Sequence, residues 1–522
     1  MTTHFIDAQR GRWQVLLLFL CLFLLLSSGR MDSGDANAEL AGAINLVQTG
    51  SLGTDTPYAD PLIQSLFVQG RNGRYYEAHE MGNSLLLTPA AFAATVASPL
   101  ASSRLGLSLD GSSRLTTLIA KTLASLLETA LSAVACFYLF LLFGLFYKPR
   151  AAVLLTLLFA FATFYTAYFR TGWDVLPACN AVIVLLYYCA RLILAPAVRA
   201  RQAIPVALWF GIVSIFRFSL APFLGLGLLI LLWSVREKVT HSAVFSGVSI
   251  ALASLIPTLV FNAIRTGSAF RPANTLPQFQ YQTGASGHML TGMLGLLLSP
   301  NRGLFFFSPI LLLLVLLPWY WKSIPPVVKS LLTAFLPAVF LYYLTIARLR
   351  NWGAAGWGPR YLLPVLPILF LGAASIAFQL WSQSRAQRFF LAALCSIGFL
   401  VSIPTLLVDY SNAVLQYHDA FSGTTLHPVQ HIAVWKNLNA ELHGRPVPVR
   451  ANVGSEEESK LLTVFPDLLV MRVHQVVANH SKPAAALLLL LYLTALGCTA
   501  YLLGSVGKDV TFDTGREVEI AV

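Results

Sequence analysis

The strongest constraint in this chain is its series of apolar runs, most of them about 20 residues long and separated by short polar loops. A helical run of that length matches the roughly 30 Å hydrocarbon thickness of a bilayer. A backbone in lipid must also satisfy its own hydrogen bonds, which a helix does. The runs fall at 15–26, 115–147, 151–169, 174–195, 203–217, 219–235, 242–262, 303–321, 327–347, 361–380, 389–408 and 483–504, about 12 in all. The expected fold class is therefore an all-α polytopic membrane protein. The 203–235 stretch is long for one span and short for two, and its turn is expected at 217–222. Hydrophobic residues make up 56% of the 522 positions and charged residues 11%, against about 25% charged in soluble domains. That excludes a string of soluble domains. It also assigns the net charge of +12 to inner loops and anionic lipid rather than to nucleic acid. The six cysteines all sit in apolar runs with no CxxC pair, so neither a disulfide framework nor a thiolate metal site is indicated.

Charge orients the runs. Arg10 and Arg12 precede the first, which reads as an uncleaved span entering from the inside. With 30–84 outside, the inward loops hold Lys148 and Arg150, Arg191, Arg199 and Arg201, Arg236 and Lys238, Lys322 and Lys329, Arg385 and Arg388, and Lys508. Every inward loop is then basic, as the positive-inside tendency requires. Segment 85–100 is apolar but short and carries Pro89 and Pro99. It is expected to dip into the outer leaflet without crossing, because counting it as a span inverts every later loop. The chain then divides into a transmembrane module at 1–408 with its first outer loop at 30–112, an outer segment at 409–482, and a last helix with an inner tail at 483–522.

The first outer loop is the first place to look for chemistry. Residues 35–50 predict a short amphipathic helix, with Leu40, Ile44 and Val47 on one face and Asp35 and Glu39 one turn apart on another. A carboxylate near the membrane suits acceptance of a hydroxyl proton. Asp35 is the leading candidate, Asp32 the fallback, and Glu39 a support for either. The competing role for Asp35 is an N-cap of that helix. Asp174 starts a later run, where the helix dipole alone favours a carboxylate. Outer arginines run against the charge bias: Arg170, Arg217, Arg265, Arg271, Arg302, Arg348, Arg350 and Arg360. Phosphate accounts for the set, because the guanidinium fork matches its oxygens. Trp173, Trp352 and Trp357 fit an interfacial aromatic belt.

Four stretches carry a family resemblance. They are SGDANAELAGAINLVQTGSL with GRYYEAHEMGNSLLLTP, then RTGWDVLPACN, LLLSPNRGLFFFSPILLL and NWGAAGWGPRYLLPVLP. Together they resemble the bacterial membrane glycosyltransferases of the GT-C class, the group with the protein O-mannosyltransferases and the lipid A aminoarabinose transferases. The resemblance ends near residue 370. It implies a GT-C type fold, with amphipathic juxtamembrane helices in the first outer loop and a small outer segment near the C-terminus. It further implies transfer of a sugar from a polyprenyl-phosphate donor to a hydroxyl of a glycan, lipid or protein acceptor, by inversion. Asp35 is implied as base and Asp174 as the group orienting acceptor or metal. Tyr76, His79, Glu80, Arg217, Arg302, Arg360 and Trp357 are implied to meet substrate. His79 departs from the lysine used by the aminoarabinose transferases. No cofactor is assigned, and a divalent cation held by Asp35 and Asp174 stays open. The expected location is a bacterial inner membrane with the site facing the periplasm or exterior. The rival reading is a flippase or transporter of lipid-linked sugars, which predicts mid-span charges and repeat symmetry. A non-catalytic scaffold gives no reason for carboxylates and arginines to converge on one side.

Overall fold

The computed structural model describes residues 2–31, 33–56, 64–105, 112–279, 284–285, 287–353, 356–416, 429–447, 464–479 and 481–508. The chain opens with α1 (Thr2–Leu26), the two-residue strand β1 (Arg30–Met31), α2 (Gly34–Thr49), the hairpin strands β2 (Phe67–Gln69) and β3 (Tyr75–Glu77), and α3 (Met81–Leu105). It continues with α4 (Ser112–Phe143), α5 (Pro149–Phe161), α6 (Tyr165–Phe169), β4 (Thr171–Gly172), α7 (Leu176–Leu194), α8 (Ala200–Phe216), α9 (Ala221–Ser234) and α10 (His241–Thr266). Next come α11 (Met289–Leu298), α12 (Leu304–Phe307), α13 (Leu317–Tyr320), α14 (Pro326–Ala347), α15 (Leu366–Ser382) and α16 (Arg385–Leu407). The last elements are α17 (Tyr410–Gln416), α18 (Val429–Leu442), α19 (Leu469–Ala478) and α20 (Lys482–Lys508). The protein is an all-α polytopic membrane protein. Among the described residues, eight helices are long and apolar enough to cross a bilayer, and shorter apolar helices lie between them.

Two expected runs are broken. The run at 151–169 stops at Phe161 and resumes as the five-residue α6. The run at 203–235 divides at Arg217, where the backbone turns to φ −151° and ψ 80°. Val198 and Val239 form a β-bridge, so the start of α8 and the end of α9 lie at one level. Arg217 is therefore the apex of a short helical hairpin, at the opposite end from the basic loops around Arg199 and Arg236.

Segment 85–100 corrects an expectation. It is not cut by Pro89 and Pro99 but runs inside α3, a continuous helix of 25 residues with enough apolar length to span. An interior proline costs about 3 kcal/mol of helix stability, and packing offsets it here. Leu87, Ala90, Ala91 and Ala94 sit against Ala120 and Ala124 of α4, and Thr116 Oγ1 donates to Ser98 Oγ at 2.8 Å. Small side chains on both helices permit that close approach. Thr129 of α4 bonds Ser27 just past the end of α1. The earlier part of α4, and α3 packed on it, thus lie beyond the level where α1 stops.

The main core fills the bundle below that level and carries many aromatic rings among its aliphatic side chains. Phe23 meets Phe169 with ring centroids 4.2 Å apart, and Phe159 meets Tyr165 at 4.8 Å. These rings support the loop 170–174 from beneath.

Candidate active site

A two-residue parallel pairing joins loops far apart in sequence, with Arg30 opposite Thr171 and Met31 opposite Gly172. Asp35 follows β1 and Asp174 follows β4, so this pairing sets the two carboxylates side by side. The second loop is fixed from below, where Glu128 Oε2 accepts from the Trp173 N–H at 3.1 Å.

Ser33, not Asp35, caps α2, its Oγ accepting from the Ala36 N–H at 3.4 Å. The capping role weighed for Asp35 is thereby removed. The Asp35 carboxylate turns to charged partners instead. Arg360 Nη2 donates to its Oδ2 at 2.5 Å, and His79 Nε2 lies 3.7 Å from its Oδ1. Asp174 Oδ2 accepts from Arg217 Nη1 at 3.0 Å and lies 3.8 Å from Arg360 Nη2. Aromatic faces flank the guanidiniums: Arg360 lies 5.3 Å from the Trp173 ring and 5.6 Å from Tyr361, and Arg217 lies 5.6 Å from Tyr361. Such faces attract cations and exclude water.

The glycines of NWGAAGWGPRY let backbone wrap the arginines. A Cβ on Gly353 would come 2.3 Å from Arg302 Cδ. Gly356 has φ +141°, and a Cβ there would lie 2.9 Å from the Tyr168 hydroxyl and 3.3 Å from Arg360 Cδ. Arg302 is buried beside this loop, and burial lowers its pKa to about 10, so it keeps its charge at neutral pH.

Burial raises the Asp35 pKa, but the charges of His79, Arg360 and Arg217 outweigh it and hold the group down at about 2. Glu39 goes the other way. Burial, then the negative charge of Asp174, pushes its pKa well above the ordinary value. Glu39 Oε1 accepts from Asn83 Nδ2 at 2.9 Å, and the same amide donates to the Asp174 carbonyl at 2.9 Å. Glu39 therefore sits behind the site as a buried support for Asn83 and the Asp174 backbone. Glu80 Oε1 accepts from the Phe218 N–H at 3.2 Å and holds the turn after Arg217.

Other expected site residues lie elsewhere. Tyr76 packs edge-on against Phe261, and its hydroxyl accepts from Asn72 Nδ2 at 2.8 Å, so it belongs to the core of the β2–β3 hairpin. Trp357 is 1% exposed, packed on Phe307 and His431 at 5.0 and 5.2 Å between ring centroids, because a large aromatic ring gains most by filling that interior. The outer arginines do not gather as one set. Arg217, Arg302 and Arg360 gather. Arg265 instead donates to the carbonyls of Glu77 and His79. Arg170 donates to the carbonyls of Leu26, Thr405 and Asp467. Arg271, Arg348 and Arg350 are exposed. Asp32 and the acidic run 456–458 lie outside the described residues.

Asp35 and Asp174 both face Arg360 Nη2, so a guanidinium takes the place a shared cation would need. Among the described residues no three His, Cys, Asp or Glu side chains gather as ligands. This arrangement does not fit a divalent ion between the two aspartates.

Sequence reasoning missed Glu128, Asn83 and Glu77. Glu128 had a signal, since an acid inside a long apolar run marks a function or a buried partner. No protein-family model matches the chain, and no curated protein matches it. Two solved structures resemble it. One is ArnT from Cupriavidus metallidurans bound to undecaprenyl phosphate, 12% identical, covering 97% of this chain and 78% of that one, with a TM-score of 0.47. The other is ArnT from the same organism in the apo state, 12% identical, covering 97% and 77%, with a TM-score of 0.46.

Proposed function

We propose that this protein is a GT-C type glycosyltransferase that moves a sugar from a polyprenyl-phosphate donor to an acceptor hydroxyl at the outer side of the membrane. The observation that carries the reading is the double ion pair, Asp35 with Arg360 and Asp174 with Arg217, with Arg302 close by against the glycine-rich loop that leads into Arg360. Arginine forks suit a phosphate leaving group, and a carboxylate suits the acceptor proton.

While Arg360 holds it, Asp35 is a poor base, because a pKa of about 2 lies far below the pH at which it must work. The donor phosphate competes for Arg360. Once the guanidinium bonds phosphate oxygen, Asp35 loses a partner and its proton affinity rises. The acceptor oxygen then attacks the anomeric carbon and its proton passes to Asp35. The bond from that carbon to the phosphate oxygen breaks, and the polyprenyl phosphate leaves with its charge held by Arg360, Arg217 and Arg302. A single displacement inverts the anomeric centre. Asp174 keeps Arg217 aimed, and Glu39 with Asn83 keeps Asp174 in place.

The test is transfer by the purified full-length protein, with polyprenyl-phosphate sugars as donors and membrane-derived lipid and glycan fractions as acceptors. Product with inverted anomeric configuration, lost in Asp35→Asn, supports the reading. Movement of the lipid-linked sugar across vesicles without transfer overturns it in favour of transport.

A further inference from the structure

The segment after 409 matches no stretch of the family resemblance, yet it reaches both halves of the site. We infer that this C-terminal segment is a positioning clamp, in which Gln430 fixes the two arginine loops to each other and Asp467 fixes the strand pair that sets Asp35 beside Asp174.

The first contact lies at the start of α18. The Gln430 N–H donates to Asn301 Oδ1 at 3.1 Å, next to Arg302. Its side-chain Nε2 donates to the Gly356 carbonyl at 3.0 Å, on the loop that leads into Arg360. Gln430 is fully buried. The next residue repeats the bridge with its ring: His431 lies 4.4 Å from Phe307, past Arg302, and 5.2 Å from Trp357, before Arg360. One helical turn thus touches the loop of each arginine twice, with a polar and an aromatic contact on each side.

The second contact is a buried ion cluster. Asp467 is 1% exposed and receives three arginines: Arg30 at 3.1 Å, Arg170 at 3.3 Å, and Arg472. Asp409 adds a second carboxylate to Arg30. Arg30 is the first residue of β1, and Arg170 directly precedes β4. The Leu469 N–H donates to the Ser27 carbonyl at 2.8 Å, which ties the same segment to the end of α1. The strand pair is therefore held at one end by Asp467, and it carries Asp35 and Asp174 at the other. A buried carboxylate among three guanidiniums is costly to break, because removing it leaves unbalanced charge in a dry place.

The inference rests on the transferase reading only in taking Arg302, Arg360 and the aspartates as the working groups. Its test has a readout independent of that reading. Hydrogen exchange is measured on the full-length protein in detergent, on peptides covering 28–31, 170–174, 299–303 and 352–361. Gln430→Ala loses the Gly356 bond and keeps the backbone N–H to Asn301, so it should speed exchange in 352–361 by about tenfold, the equivalent of one lost hydrogen bond, while Asn301→Ala should do the same in 299–303, with 28–31 and 170–174 unchanged in both. Asp467→Asn should speed exchange in 28–31 and 170–174. Unchanged exchange in 352–361 of Gln430→Ala and in 299–303 of Asn301→Ala overturns the clamp, even where Asp467→Asn fails to fold. Binding of undecaprenyl phosphate is measured beside it. Gln430→Ala should weaken binding by about tenfold, and its donor KM should rise more than its kcat falls. Wild-type protein that does not bind this lipid overturns the transferase reading, while the exchange comparison still decides the clamp.

Discussion

On the proposed competition of Asp35 and phosphate for Arg360, two substitutions on one ion pair should move phosphate binding in opposite directions. Arg360→Ala removes a charged donor and should weaken binding of undecaprenyl phosphate by about 1.5–3 kcal/mol, or roughly one to two orders of magnitude. Asp35→Asn removes the competitor and should tighten binding, by up to about tenfold if half of the ion-pair energy is returned. His79, Arg360 and Arg217 together hold the Asp35 pKa at about 2 against the cost of burial, a net depression worth roughly 2–3 kcal/mol of which the Arg360 pair is one part. The folded-state pKa is the lower one, so this stability is present above pH 3.8 and is lost as pH falls through 2. Asn should therefore lower Tm at neutral pH, and the gap to wild type should close under acid. Turnover should fall by about 10²–10⁴-fold, because Asn cannot take the acceptor proton. The assays are lipid binding by the detergent-purified protein, thermal melts from pH 2 to 8, and transfer under saturating donor. Weaker phosphate binding in Asp35→Asn, or wild-type turnover in that variant, refutes the exchange of partners at Arg360.

Two further outcomes follow from buried groups near the site. Burial raises the Glu77 pKa from 4.5 to about 8, against the Ser84 hydrogen bond and the Arg265 charge. The folded state thus binds the extra proton, and this group's contribution is lost as pH rises through 8. Glu77→Gln should flatten the fall of Tm between pH 5 and 8, a window worth roughly 4–5 kcal/mol at most. An unchanged pH profile removes the protonated form. Tyr76→Phe should leave transfer within about twofold of wild type and cost roughly 1 kcal/mol of stability through the lost Asn72 bond. A large loss of transfer at full folding returns Tyr76 to the site.

Much of the architecture is legible in local pattern. The amphipathic spacing of Leu40, Ile44 and Val47 gives α2, and the polar break at Arg217 gives the hairpin apex. The grouping of Asp35, Asp174, Arg217, Arg302 and Arg360 also follows from five connections that lie at the same ends of their helices. What local pattern hides is long-range pairing. Nothing near Arg30 announces Asp467, and nothing near Gly356 announces Gln430. Proline signals mislead at α3 because contacts with α4 outweigh a local preference. Tyr76 and Trp357 look like ligand contacts because aromatic residues serve interiors and binding sites alike. Phosphate is a sound reason for outer arginines, but carbonyls and one buried aspartate take up Arg170 and Arg265 first.

The hairpin with Arg217 at its apex has two arms of 17 residues, Ala200–Phe216 and Phe218–Ser234. At about 1.5 Å per residue each arm spans roughly 25 Å, short of the roughly 30 Å hydrocarbon layer. Lipid beside these arms must thin, or the apex must sink below the headgroup plane. Short-chain bilayers should therefore match these arms, and keep Arg217 level with lipid phosphates, better than thick ones.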